Sequence, residues 1–483
     1  MTNDPRAAHR PRPSPATIWL ILTLVTEARR LPDIGNPLLD LDEQFYLLVG
    51  DRMLDGAIPY VDIWDRKPVG LFLIYAAARA PGGDPFVGYQ ILASLTLLAT
   101  AGLVGSLARR IAGGWAGLAA GIVLLLWSEF LGGRGGQSPL FYNAAIAGAA
   151  LVTCRALNRS DQLRCHGLVA MVLCGLAIQI KPTVVFEGVW FGVALLAAAW
   201  RAGWRGVAIA RHAAALIGAA LLPTLLALFG YATIGHAGNW WFATIVSIFH
   251  RGVESGDPIA ARLTGIALML IVPMAAAIHG ATRLTGNMRW FLIGWAMVAL
   301  IGVAAVPPYY NHYALPLVVP VAVLAGIGMA ASRPLAVIVI AGGAALLWLS
   351  GYPHVGERAA SRAALMRMAA LVNTYRGTGC MFGINAPPAL YVATGSCLPT
   401  RYPFSPHLTL TSEAGAIGVN QRAELIRVLA GRPTVIVTGP TLGGTDPRAV
   451  ELVDRALALD YRRIGAEGDD VIWTLRQRPA DNP

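Results

Sequence analysis

The feature that most limits what this chain can fold into is a series of apolar stretches long enough to cross a bilayer, a distance of about 20 helical residues. Examples are "GLAAGIVLLLWSEFL" (117–131), "AAALIGAALLPTLLALFGYATI" (213–234) and "PLAVIVIAGGAALLWLS" (334–350). Each is hydrophobic all round rather than striped, as a lipid-embedded helix must be. Of 483 residues, 55% are hydrophobic and only 13% charged, too little charge to coat two or three soluble domains. The expected architecture is an all-α polytopic membrane bundle of about 11 spans over residues 1–352. A small α/β domain follows over 353–483.

Charge sets the expected topology, because short Arg-rich loops stay on the inner side. The basic tail "RAAHRPRPS" (6–14) puts the N-terminus inside. Span one, about 15–31, is short and interrupted by Glu27, Arg29 and Arg30. A cleaved signal peptide is the rival reading, but no A-x-A site is visible. Later spans begin near 86, 113, 141, 167, 183, 213, 263, 290, 314 and 334, and inner-side markers such as "ARR" (108–110), "RALNRSDQLRCH" (155–166) and "WRAGWRGVAIARH" (200–212) separate them. An odd number of spans leaves the C-terminal domain outside. The segment 68–80 is too short to span and reads as a helix lying in the outer interface. The net charge of +11 sits mostly at the ends of apolar runs, which is membrane anchoring and not nucleic-acid binding.

In the outer domain, 357–375, 421–431 and 446–459 have helical spacing, while 380–385, 434–439 and 471–475 read as strands. No catalytic motif stands out there, and a cap or acceptor-docking module is the plain reading. Cys380 and Cys397 fall on the outer side, where a disulfide persists. Two buried thiols are the alternative.

Carboxylates gather in the stretch 39–75 of the opening loop (about 32–85): Asp40, Asp42, Glu43, Asp51, Asp55, Asp62 and Asp65, followed by Arg66 and Lys67. The chain has 38 Lys plus Arg, yet Lys67 and Lys181 are its only lysines, and both precede proline on the expected outer face. A compact ammonium suits a phosphate; interfacial snorkelling is the plain alternative. Asp42 or Glu43, at the rim of an apolar cavity, suits a general base acting on a hydroxyl or amine that attacks an activated sugar carbon. A nearby cation would stabilise the departing phosphate. Arg251 with His250, and Tyr310 with His312 and Tyr309, are further candidates at the outer mouth. The nine His show no H-x-x-H pair, so no metal ligand set is assigned. The glycines at 132, 133, 135 and 136 form a flexible loop without the Lys-Ser/Thr of a P-loop.

"DEQFY" (42–46) followed by "DGAIPYVDIWDRKP" (55–68) resembles the opening loop of GT-C membrane glycosyltransferases, in particular the family of protein O-mannosyltransferases and the lipid A aminoarabinose transferase. Asp42, Glu43 and Tyr46 match its D-E-x-x-Y motif. Asp65, Lys67 and Pro68 match its D-x-K-P motif, with Arg66 inserted relative to the tighter form. Weaker echoes are "GLAIQIKP" (175–182), "YYNHYALPLVVP" (309–320) and "RYPF" (401–404). The resemblance implies a GT-C bundle, a polyprenyl-phosphate sugar donor, an envelope lipid, glycan or protein acceptor, and inversion at the anomeric carbon. It further implies that Asp42 is the base, that Lys67 contacts the carrier phosphate, and that Glu43 supports Asp42 or binds a divalent metal ion. The Arg/Ala/Gly-rich composition points to a bacterium, hence to the inner membrane.

Three rivals stand beside this reading. A transporter or flippase of lipid-linked sugars would carry internal repeats and midplane charges, and neither is visible. Another polyprenyl-linked glycan protein would share the lipid phosphate but not the acidic motif after span one. A non-catalytic envelope scaffold would use the acidic loop as a docking surface.

Overall fold

The computed structural model describes residues 13–253, 258–305 and 307–476. Most of the basic tail expected on the inner side, residues 6–12, lies outside them, as do 254–257 of the long outer loop.

Helix α1 (Pro15–Arg30) leads into two helices of the opening loop, α2 (Leu41–Leu54) and α3 (Val69–Arg79). Then come α4 (Pro85–Ala112), α5 (Gly114–Phe130), α6 (Ser138–Asn158), α7 (Leu163–Ile178), α8 (Val185–Arg201) and α9 (Gly206–Thr233). The segment expected as a long outer loop is largely helical, with α10 (Ala237–Trp241), a π-helical turn at Phe242–Val246 and α11 (Ser247–His250). Four helices complete the bundle: α12 (Ile259–Thr282), α13 (Gly286–Ala304), α14 (Leu315–Ala331) and α15 (Arg333–Leu349). A helix stands at each of the eleven expected spans. Seven of the helices are long and apolar enough to cross a membrane by length and composition; α5, α7 and α15 are shorter apolar helices. The chain is a multi-pass membrane protein.

The core is organised around α14, which is buried on nearly every side and packs on α5, α12 and α4. Lipid tails are as apolar as Leu, so close packing rather than water exclusion must hold such helices together. Small residues make that possible. A Cβ on Gly280 of α12 would lie 1.9 Å from the Leu324 carbonyl oxygen, and one on Gly328 of α14 would lie 2.2 Å from that of Ala276. By contrast α9 buries only His212, Leu216 and Tyr231.

Beyond α15 the chain forms α16 (Glu357–Arg376), β1 (Met381–Ile384), α17 (Ala389–Thr394), α18 (Pro406–Thr409), α19 (Gln421–Ala430), β2 (Val435–Thr438), α20 (Pro447–Asp460), β3 (Tyr461–Glu467) and β4 (Asp470–Leu475). The sheet order is β1-β2-β4-β3, with β1 parallel to β2 (Met381 opposite Val435) and the other pairs antiparallel. Strand β3, unexpected from the sequence, is an edge strand in which only Tyr461 is buried. A disulfide joins Cys380 to Cys397. Helix α17 packs on α2, and Arg134, just before α6, pairs with Glu357 of α16 (2.9 Å) and Asp33 (2.6 Å). The sheet domain is thereby fixed to the opening loop.

Candidate active site

The opening loop turns into α2 because Asp40 caps it: its carboxylate accepts the Asp42 amide at 2.8 Å, filling one of the unpaired donors of a helix start. Gln137, which precedes α6, donates to the same carboxylate at 2.6 Å. One turn on, Tyr46 donates its hydroxyl to Asp42 Oδ2 at 3.1 Å. The second half of the motif is shaped by Asp65, whose carboxylate accepts the backbone amides of Arg66 and Lys67. Tyr60, at a left-handed φ of 70°, donates to the Lys67 carbonyl at 2.8 Å.

These two turns form one side of a cavity of about 370 Å³. Asp40, Asp42, Asp65, Arg66 and Lys67 line it from the opening loop. Arg251 comes from beyond α11, and Tyr310, His312 and Tyr313 come from the entry to α14. The outer domain closes it with Phe404, His407 and Glu413. Glu413 binds Arg66 through both oxygens and forms an ion pair with Arg251, Nε to Oε1 at 3.0 Å. The Lys67 ammonium lies 5.4 Å from the Tyr46 ring centre, and that of Lys181 lies 4.2 Å from the Tyr313 ring centre.

The charges are mutually tuned. Burial works against ionisation of Asp42, but Lys67, His312, the Tyr46 hydroxyl and Lys181 outweigh it and hold the carboxyl below the usual carboxylate range. Burial and the neighbouring Asp42 push Asp40 up, so the negative charge of this pair resides on Asp42. Burial and the nearby Lys67 pull the Lys181 ammonium down to about 7, with Asp42 opposing. Burial likewise opposes ionisation of Glu413, and Arg66 overrides it.

Most expected candidates meet here, and three stand behind or beside the cavity wall. Tyr46 touches Asp42 from behind. Lys181 lines a narrow recess with Tyr142, Glu187 and Tyr313. Glu43 is fully buried with its back to the cavity; it accepts the Gly136 amide and is 3.4 Å from the donating Tyr89 hydroxyl. The glycine-rich loop expected to be flexible is gripped from two sides. Arg30 donates to the carbonyls of Gly133 (2.6 Å), Arg134 and Gly135 (2.7 Å), and a Cβ on Gly135 would lie 1.9 Å from Glu43 Oε2. Arg29 pairs with Glu129 at 2.8 Å. The two arginines that run against the inside-positive pattern are thus internal ties. His250 and Tyr309 stay out of the cavity, bonded to the carbonyls of Val246 (3.0 Å) and Ala304 (3.2 Å).

Asp40, Gln137, His407 and Glu413 were not singled out from sequence. The D-x-x-E spacing of Asp40 and Glu43 before an apolar run was a readable capping signal; nothing local marks the other three. Among the described residues no three His, Cys, Asp or Glu side chains gather to hold a divalent cation, and the cavity's carboxylates face Lys67, Arg66 and Arg251.

No family model matches the sequence, and no curated protein does either. Solved structures do match. The aminoarabinose transferase ArnT from Cupriavidus metallidurans in the apo state is similar at a TM-score of 0.64 and 13% identity, over 95% of this chain and 98% of that one. ArnT bound to undecaprenyl phosphate gives the same score and identity, over 95% and 97%. The oligosaccharyltransferase AglB from Archaeoglobus fulgidus, in complex with an inhibitory peptide and a dolichol-phosphate, matches at 0.50 and 11% identity, over 97% of this chain and 75% of that one. The chain therefore has the GT-C fold of these membrane glycosyltransferases.

Proposed function

We propose that the protein is a membrane glycosyltransferase that moves a sugar from a polyprenyl-phosphate donor to an envelope lipid, glycan or protein. The observation that carries this reading is that the Asp42 carboxylate and the Lys67 ammonium line one cavity at the end of an apolar bundle. The fold is shared with a transferase solved with undecaprenyl phosphate. Asp42 takes the proton from the acceptor O–H or N–H as that atom attacks the anomeric carbon. The bond from that carbon to the phosphate oxygen breaks, and polyprenyl phosphate leaves with the electron pair. Lys67, Arg66 and Arg251 stabilise the phosphate charge, with Lys181 close by. Because attack and departure occur on opposite faces, the configuration inverts. Tyr310 and His312 border the path to the donor, and Asp65 fixes the turn that presents Lys67. Glu43 acts by position, holding the Gly136 amide beside the Gln137–Asp40 contact. No step requires a metal ion.

The reading places the chain in a bacterial inner membrane with eleven crossings, its N-terminus cytoplasmic and its disulfide-bearing domain extracytoplasmic, where such a bond persists. The test offers wild type and Asp42→Asn, each purified with lipid, a panel of polyprenyl-phosphate sugars and crude envelope acceptors, and scores free polyprenyl phosphate. Release by wild type alone is expected. Equal release by both removes Asp42 as the base, and no release from any donor sinks the transferase reading.

A further inference from the structure

A second cavity, about 830 Å³, lies at the other end of the bundle. The 21 residues of α6 put roughly 30 Å between the two ends. Gln137 at its start touches Asp40, and Arg155 in its last turn lines the second cavity. Helices α4, α12 and α13 make the same crossing, from the neighbourhoods of Tyr89, Arg262 and Tyr310 to those of Arg110, Arg283 and Met288.

Arg110, Arg155, Arg159, His166 and Arg283 converge on this space from four segments, and among the described residues no Asp or Glu lines it. The remaining wall is largely apolar, with Leu107, Ile111, Leu151, Leu284 and Met288. Other arginines at this end are already engaged. Arg164 lies over Trp204 at 4.8 Å, Arg201 over Trp290 at 5.6 Å, and Arg205 over Trp200 at 3.9 Å. The side chains of Arg110, Arg155 and Arg159 have no such partner among the described residues. The His166 Nδ1 atom is buried without a hydrogen-bond partner. Arginines that only anchor helix ends have no reason to share one concavity. An anion that joins them would offset the repulsion of like charges gathered without acids.

We propose that this cavity binds the phosphate of an anionic membrane lipid, drawn from the leaflet opposite the candidate active site. Guanidinium groups bind phosphate oxygens in pairs. Arg110, Arg155 and Arg283 hold the headgroup, while the apolar wall at the ends of α4 and α6 receives the start of the acyl chains. Basic pockets between spans recognise anionic headgroups in this way. The half-apolar wall favours a lipid over a soluble phosphate compound. The proposal is independent of the transferase reading.

The test delipidates the full-length protein in detergent, adds back dioleoyl phosphatidylglycerol or dioleoyl phosphatidylcholine, and counts retained lipid by native mass spectrometry. Wild type should keep phosphatidylglycerol at least about tenfold better. Arg110→Gln, Arg155→Gln and Arg283→Gln should each weaken retention about fivefold, the factor expected per basic side chain. Arg205→Gln should bind as wild type does. Equal retention of the two lipids, or no loss in any of the three variants, overturns the proposal. Displacement of the lipid by millimolar inorganic phosphate also overturns it and assigns the cavity to a soluble anion.

Discussion

The two ends of the bundle hold the same kind of cation in opposite company. At the candidate active site each positive group meets an acid or a ring: Lys67 faces Asp42 and Tyr46, Arg66 and Arg251 share Glu413, and Lys181 sits on Tyr313. At the far end the arginines line a space without a carboxylate among the described residues. The count of positive charges therefore does not separate the two sites. What separates them is a carboxylate held ionised among the cations. A reaction that takes a proton and releases a phosphate must manage a change of charge, whereas a site that only retains an anion needs the cations alone.

The sharpest way to break this contrast is to remove the ionised carboxylate. Asp42→Asn keeps the shape and the Tyr46 contact but leaves no base. Release of polyprenyl phosphate should fall about 10³-fold in kcat, within the range that general-base removal gives, with KM changed far less. A rise in KM with kcat little changed would mean that Asp42 serves binding instead. Lys67→Gln comes next. It removes the cation that both meets the phosphate and keeps Asp42 ionised, so kcat/KM should fall on the order of 10²-fold. Lys67→Arg should recover only part of that loss, because a planar fork does not replace a compact ammonium. Full recovery would show that any cation suffices at this position.

The bundle was legible because lipid imposes a long-range rule on a local pattern: about 20 apolar residues must be helical. Every expected span is a helix for that reason, including the short α5 and α7. The opening-loop motif was legible because its residues lie close together in sequence, so Asp42, Tyr46 and Lys67 meet through one loop. The partners that complete the site were not, because they arrive from far along the chain. Glu413 reaches Arg66 across 347 positions, and Gln137 reaches Asp40 across 97. Neither "TSEAG" around Glu413 nor the glycine-rich loop before Gln137 carries a local signal of its destination. The orientation of Glu43 was not legible for the same reason. Adjacent to Asp42 in sequence, it lies on another face of α2, turned into the protein.

Lys181 offers a finer test of the comparison. Burial and Lys67 bring its ammonium to about 7, so in the free enzyme it is charged below that value and neutral above it. If it helps to hold the donor phosphate, kcat/KM should decline as pH rises through about 7, by roughly tenfold where the charge is lost. Lys181→Gln should start from the lower plateau and show no such step. A step that survives in Lys181→Gln belongs to another group.

The smallest expected effect concerns Glu43. Burial, reinforced by Asp40, raises its carboxyl to about 8, above the unfolded value near 4.5. The folded state therefore binds a proton that the unfolded state has lost between those two values, and stability contributed by this group declines as pH rises from about 4.5 to 8. Glu43→Gln mimics the neutral carboxyl and keeps an oxygen for the Gly136 amide. At pH 6 its thermal transition should match wild type to within about 1 kcal/mol, and the decline toward pH 8 should be shallower than in wild type. Glu43→Ala should cost about 2–4 kcal/mol at every pH, because it leaves the Gly136 amide unpaired and opens a void against Gly135. If Glu43→Gln abolished turnover at pH 6 while its transition stayed in place, Glu43 would have to act as a charged group. The ionised pair at the active end would then be Asp42 with Glu43, and the single-carboxylate contrast with the far end would fail.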